Sequence, residues 1–169
     1  MNFGIPPPHA RQAPARPSNA ARITRVNTYD ISTDPSRLQL DAIHAYVTRS
    51  YWSPGVTKDV VARAIANSMC FGLYLGEAQV GFARVVTDKA SFAYLADVYV
   101  LEEHRGQGLS KRLVETILAH PDLQGLRRFL LATKDAHGLY AQFGFEPLAA
   151  PDRMMERRIP PPWLRDVPA

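Results

Sequence analysis

The run Val98–Tyr99–Val100–Leu101–Glu102–Glu103–His104–Arg105–Gly106–Gln107–Gly108–Leu109 takes an apolar strand into a glycine-punctuated loop that opens a helix. Such a loop presents backbone N–H groups at the positive end of a helix dipole, an arrangement that binds phosphate. A side chain at Gly106 or Gly108 would block close approach of the backbone or exclude the dihedrals the turn needs. Taken alone the loop does not decide the matter, because many strand-to-helix turns carry glycines and bind nothing. Two nucleotide loops are excluded. The sequence has no Gly-x-x-x-x-Gly-Lys-[Ser/Thr], and Gly106–Gln107–Gly108 lacks a third glycine three residues on, where Lys111 stands.

Holding that loop requires a sheet in front of it and a helix behind it. Residues 25–31 alternate loosely and read as a first strand, and Asp34–Pro35 reads as an N-cap with proline at the first helical position of a helix reaching about residue 49, with Leu40, Ile43 and Val47 on its buried face. Tyr51–Trp52–Ser53–Pro54–Gly55 reads as a turn, after which Thr57 caps a second helix carrying Val60, Val61, Ala64 and Ile65 at helical spacing. The period then changes, with strands expected at 71–75, 80–86 and 92–100 separated by turns at Gly76–Glu77 and 87–90. Leu109, Leu113, Val114, Ile117 and Leu118 mark a helix over 108–119, followed by a strand at 129–133, a short helix at 136–143 and a last strand at 154–158. This order of elements is an α+β, mixed α/β, sandwich.

Length and composition bound the rest. A chain of 169 residues suits one domain, and no apolar run approaches the roughly 20 residues a membrane span needs. Residues 1–22, rich in Pro, Ala, Arg and Asn, lack an apolar period and read as a disordered tail. Ile5–Pro6–Pro7–Pro8 interrupts anything like the apolar core of a secretory signal. Arg11, Arg16 and Arg22 fall in that acid-free tail, so three of the formal +4 charges sit there and residues 23–169 keep +1. The domain is expected over 23–159, with a proline-rich C-terminal tail at 160–169. The lone Cys70 has no second cysteine for a disulfide or a thiolate metal site, which fits a reducing cytoplasm, and no metal is expected. A chain starting near Ile23 is expected to keep its melting temperature and turnover when assayed beside the full-length protein; lost turnover at intact stability would give the tail a role at the site.

The loop and a later segment together resemble the GNAT superfamily of acetyl-CoA-dependent N-acetyltransferases. In that family the pyrophosphate loop reads Arg/Gln-x-x-Gly-x-Gly/Ala after an apolar strand ending in Val, and here Arg105, Gly108 and Ser110 stand in that frame. The family's later signature, Asn-x-x-Ala-x-x-x-Tyr-x-x-x-Gly-Phe, is matched by Ala136, Tyr140, Gly144 and Phe145, with Thr133 in the place of Asn. Two motifs in order at family spacing, over roughly residues 69–158, are far more specific than either alone.

The resemblance implies the GNAT fold, a central, mostly antiparallel, splayed sheet with helices on both faces. It implies acetyl-CoA as cosubstrate, with Val98, Tyr99 and Val100 pairing with the pantetheine arm through backbone groups, Arg105, Gly106, Gln107, Gly108, Leu109 and Ser110 around the pyrophosphate, and Thr133 beside the pantetheine. Tyr140 resembles the general acid that protonates the departing thiolate, its alternative being an aromatic packed on Phe143 and Phe145. Tyr94–Leu95–Ala96–Asp97–Val98 looks like the Leu-Glu-Asp strand of diamine acetyltransferases, but the glutamate position is Ala96, which weakens transfer of a polyamine substrate. Asp97 is then either the group that takes the amine's proton or a structural acceptor at a strand bulge. Tyr51 and Trp52 lie in the region that covers the acceptor in this family, Trp52 reading equally as a core residue, and His137, one helical turn before Tyr140, can face the same site or be a surface or cap residue, the commoner place for a lone histidine. His104 reads as solvent-facing; Arg84 and Asp88 share parity and can reach the cleft or pair at the surface.

The function implied is transfer of an acetyl group to a primary amine of a small molecule by direct attack. A protein lysine or N-terminal acetyltransferase and a non-catalytic acetyl-CoA sensor are the alternatives. Three arginines without interleaved aromatics give no basis for expecting nucleic acid, no membrane partner is expected, and a homodimer is compatible with the sequence.

Overall fold

The computed structural model describes Met1 and residues 28–164, so the expectations for the rest of 1–22, for 25–27 and for the 165–169 part of the C-terminal tail lie outside the described residues. The chain enters through β1 (Tyr29–Ser32), passes through α1 (Leu40–Val47) and α2 (Lys58–Ala66), and builds the meander β2 (Met69–Leu75), β3 (Ala78–Thr87) and β4 (Phe92–Val100). The helix α3 (Leu109–Leu118), β5 (Arg128–Leu131) and the short α4 (His137–Ala141) follow. The five strands lie in sequence order in one α+β sheet, antiparallel except for the parallel pair β4–β5.

Both faces of the sheet are covered, which explains why β2 is apolar almost throughout. On one face Ile43, Tyr46 and Val47 of α1 and Val61 of α2 pack with Cys70, Phe82 and Tyr99. On the other, Leu113, Val114 and Ile117 of α3 pack with Phe71, Val85, Ala93 and Leu95. Burying each such side chain contributes roughly 1.5–3 kcal/mol, so α3 is firmly seated and its N-terminus is held just beyond the end of β4. No helix among the described residues is long and apolar enough to cross a membrane.

Two elements differ from the sequence expectation. Asp34 does accept from the Ser36 N–H, but the cap closes only a single 3-10 turn, and α1 starts at Leu40. The cause is the reciprocal pair Gln39–Gln79. Gln39 N–H donates to Gln79 Oε1 at 2.8 Å and Gln79 N–H to Gln39 Oε1 at 3.2 Å, which pulls residues 38–39 out of helical geometry and onto the sheet. The strand expected at 154–158 does not form, and the sheet ends at β5. Met154, Met155, Glu156, Arg157 and Arg158 offer no apolar face at period two, and Arg158 and Glu156 pair with each other in solvent. Trp163, farther on, packs against the α1–α2 cluster and donates to the Pro54 carbonyl at 3.2 Å.

Candidate active site

Strands β4 and β5 run side by side from Phe92↔Arg128 to Leu95↔Leu131, and there the pairing stops while β4 continues for five residues. The divergence begins at a bulge. Phe82 pairs with Tyr99 and Arg84 with Ala96, so Ala83 alone faces both Asp97 and Val98, and Asp97 adopts φ +52°. The extra residue twists β4 away from β5 and leaves Val98, Tyr99 and Val100 without a partner strand on that side.

A cavity of about 460 Å³ opens at this splay. Asp97, Val98, Arg84 and Tyr94 line it from the sheet, Tyr51 and Trp52 from the loop after α1, and Thr133, Lys134 and Tyr140 from the β5–α4 segment. Trp52 Nε1–H donates to Asp97 Oδ1 at 3.0 Å, Arg84 Nε–H donates to Asp97 Oδ2, and Tyr51 Oη accepts the Lys134 N–H at 3.0 Å. The Tyr51–Trp52 pair therefore straps β4 to the segment after β5. A second cavity of about 390 Å³, lined by Phe129, His137, Phe145 and Leu148 among others, shares Leu131, Ala132, Thr133 and Tyr140 with the first.

Tyr140 stands between the two. It is only 7% exposed, its ring packs edge-on to Phe145, and burial, with smaller contributions from Tyr51 and Asp135, pushes its hydroxyl up to about 12. The phenol thus stays protonated at neutral pH and can donate but not abstract a proton.

At the far end of β4, Gly106 and Gly108 have φ of +76° and +73°, and a Cβ built on either meets nothing within 4 Å. Glycine is required there by backbone conformation, and the space before the loop is open. The loop is braced from below: Tyr29 Oη meets His104 Nδ1 at 3.0 Å and donates to Gln107 Oε1 at 3.3 Å, and Arg112 donates to the Tyr29 carbonyl at 2.7 Å. Gly108 is the N-cap of α3, with no side chain capping the first turn and no acidic residue within it. A ten-residue helix therefore points uncapped N–H groups at open space.

Residues 66–147 match the acetyltransferase (GNAT) domain family. A protein of Gibberella zeae assigned as a candidate acetyltransferase is 34% identical over 137 residues, covering 68% of this chain and 76% of its own. The crystal structure of a candidate GNAT-family acetyltransferase from Xanthomonas campestris pv. campestris is 50% identical, with a TM-score of 0.78 over 81% of this chain and 97% of that one. The chain belongs to the GNAT acetyltransferase family. An aminoglycoside N-acetyltransferase solved in complex with CoA shares the fold at 16% identity, with a TM-score of 0.61 over 82% of this chain and 99% of that one.

GNAT acetyltransferases use acetyl-CoA, and the residues here suit it: an open glycine loop at an uncapped helix terminus for a pyrophosphate, and an unpaired strand edge leading to a cavity for the arm and its thioester. Several expected contacts have their own engagements. The Tyr99 ring lies inside, stacked on Tyr46 at 3.8 Å, so only its backbone faces the splay. Arg105 stays half-exposed but is already engaged, donating from Nε to the Val100 carbonyl at 2.9 Å and from Nη2 to Tyr46 Oη at 2.8 Å and Glu102 Oε1 at 3.2 Å. The Thr133 hydroxyl accepts the Ala136 N–H at 3.0 Å and so shapes the entry to α4. His137 lines the second cavity and not the first. His104 bonds to β1 through Tyr29. Asp88 caps the β3–β4 turn by accepting from Ala90, Ser91 and Phe92, which holds its carboxyl well below the usual range. Cys70 is buried and its thiol pushed up to about 11, chiefly by that burial, so it is inert as a nucleophile. Arg84, open in the sequence between the cleft and a surface pair, lines the cavity, and its contact with Asp97 depends on the bulge.

Proposed function

We propose that this GNAT acetyltransferase moves the acetyl group of acetyl-CoA onto a primary amine of a small molecule in a ternary complex. The observation that carries this reading is the 460 Å³ cavity at the splay, which brings Val98, Asp97 and Tyr140 onto one space and is walled by the Tyr51–Trp52 strap. That volume suits a small ligand, and a strapped wall suits a compact amine better than an extended polypeptide. A cytoplasmic setting is part of the proposal.

Acetyl-CoA supplies an activated thioester. Gly106, Gln107, Gly108, Leu109 and Ser110 would hold its pyrophosphate through backbone N–H groups, with Arg105 tying the loop to the Val100 carbonyl. Val98 to Val100 would pair with the arm as an added strand does. The Val98 N–H would donate to the carbonyl oxygen as it gains charge, and Tyr140 would give its proton to the departing sulfur. Of the two roles open to Asp97, the bonds to both its oxygens support the structural acceptor, and the amine sheds its proton to water in the open cavity.

The test is thiol release from acetyl-CoA across a panel of small primary amines, run beside a lysine-bearing peptide and a peptide with a free N-terminus, with products identified by mass. Small amines are expected to accelerate release. Acceleration by the peptides alone would overturn the small-molecule reading in favour of a protein acetyltransferase, and tight acetyl-CoA binding without acceleration by anything would make the domain a sensor.

A further inference from the structure

The peptide plane that carries the Val98 N–H is the one joining Asp97 to Val98, so its direction is set by the backbone dihedrals of Asp97. Those dihedrals are unusual. At φ +52° Asp97 sits in the left-handed region, which aspartate enters more readily than most residues but which stays strained for any non-glycine residue unless the surroundings hold it.

What holds it is the carboxylate. Arg84 reaches across from β3, opposite Ala96, and its Nε–H binds Oδ2 while Nη1 donates to Ser68 Oγ at 3.3 Å. The two side chains are only 20% and 13% exposed, so the pair is poorly screened by solvent. Trp52 binds the other oxygen, Oδ1, and belongs to the strap whose other end, Tyr51, accepts the Lys134 N–H beyond β5. The carboxylate is thus gripped by the strand behind the bulge and by the strap across the splay.

We propose that Trp52 and Arg84 are positioning residues for acetyl transfer: by clamping Asp97 at the bulge they hold the Val98 N–H aimed at the thioester oxygen. This rests on the reading of Val98 as the oxyanion donor. The clamp also explains how a carboxylate beside the cavity serves the reaction without itself taking the amine's proton.

The test uses Trp52→Phe, which keeps the ring and removes the N–H, and Arg84→Lys beside Arg84→Met. Thiol release from acetyl-CoA is measured with an active amine and with water as the only acceptor, together with acetyl-CoA affinity and melting temperature. Complete loss of an oxyanion donor costs about 10²–10³ in turnover, so a donor left in place but no longer held should cost about tenfold. The expected pattern is that fall in kcat for Trp52→Phe, in the amine and the water reactions alike, with the amine KM and acetyl-CoA affinity changed by less than about twofold. Arg84→Lys should recover part of what Arg84→Met loses. In an Asp97→Ala background Trp52→Phe should have no further effect, because the group through which it acts is gone. Unchanged kcat in folded Trp52→Phe and Arg84→Met would overturn the proposal. So would a rise in amine KM alone, which would make Trp52 a wall of the acceptor cavity. If Asp97→Ala lowers turnover while Trp52→Phe does not, only the clamp fails; if Asp97→Ala and Tyr140→Phe both leave turnover intact, the reading of the whole site fails.

Discussion

Tyr140→Phe should lower turnover by about 10²–10⁴, nearer the lower figure because a thiolate is already a fair leaving group, while acetyl-CoA affinity stays nearly unchanged. The substitution removes one oxygen and keeps the ring, so the edge-on packing against Phe145 and the burial of the ring survive. A hydroxyl that serves only as the sulfur departs belongs to the transition state, and its loss appears in kcat. A packing role predicts instead that rate and melting temperature both stay near wild type, because the packed ring is kept. Turnover and cofactor affinity measured on the same preparation separate the two, and wild-type turnover in a well-folded Tyr140→Phe protein would remove Tyr140 from the reaction.

The raised phenol adds a pH signature. Because burial lifts Tyr140 to about 12, above the ordinary tyrosine value of 10, the folded state keeps the proton that the unfolded chain releases first. Its contribution to stability is therefore complete below about pH 10 and is lost as pH climbs towards 12. Over the same range the acid remains loaded, so any fall in rate on the alkaline side below pH 10 arises elsewhere.

Gly108→Val should weaken acetyl-CoA binding by at least about tenfold, or 1.4 kcal/mol. Two effects combine. A branched side chain at φ +73° is strained by roughly 1–2 kcal/mol and pushes the loop out of its conformation, and if the loop holds, the new methyls occupy the open space before the N-terminus of α3. Gly125→Val is the control. Gly125 has φ +72° with nothing near its Cβ, but it lies past the other end of α3, so it should lose comparable stability with affinity intact. Unchanged affinity in folded Gly108→Val would show that the phosphate is held elsewhere.

The parts legible in the sequence are those governed by local periodicity. Leu109, Leu113 and Ile117 recur at the spacing of one helix face and do form the buried face of α3, and the turns at Gly76 and at 87–90 do separate β2, β3 and β4. The conformation of the glycine loop was also legible, since Gly106 and Gly108 take φ of +76° and +73°, which glycine alone adopts freely. The failures are long-range. Gln79 lies 40 residues from Gln39, and nothing near Asp34 announces that this pair delays the start of α1 to Leu40. Residues 154–158 looked like a final strand by position, but strand formation needs a face to bury, and theirs is charged. The Arg84–Asp97–Trp52 contacts join three separate segments, and they meet only because a bulge shifts the register by one residue, which no local pattern reports.

A structure of the protein with coenzyme A bound tests the central claim most directly. The account predicts the pyrophosphate against the N–H groups of residues 106–110, the arm along the free edge of Val98 to Val100, and the thiol sulfur within hydrogen-bond reach of the Tyr140 hydroxyl at the mouth of the cavity lined by Asp97 and Trp52. Coenzyme A bound away from the splay, or with its sulfur remote from Tyr140, would contradict it.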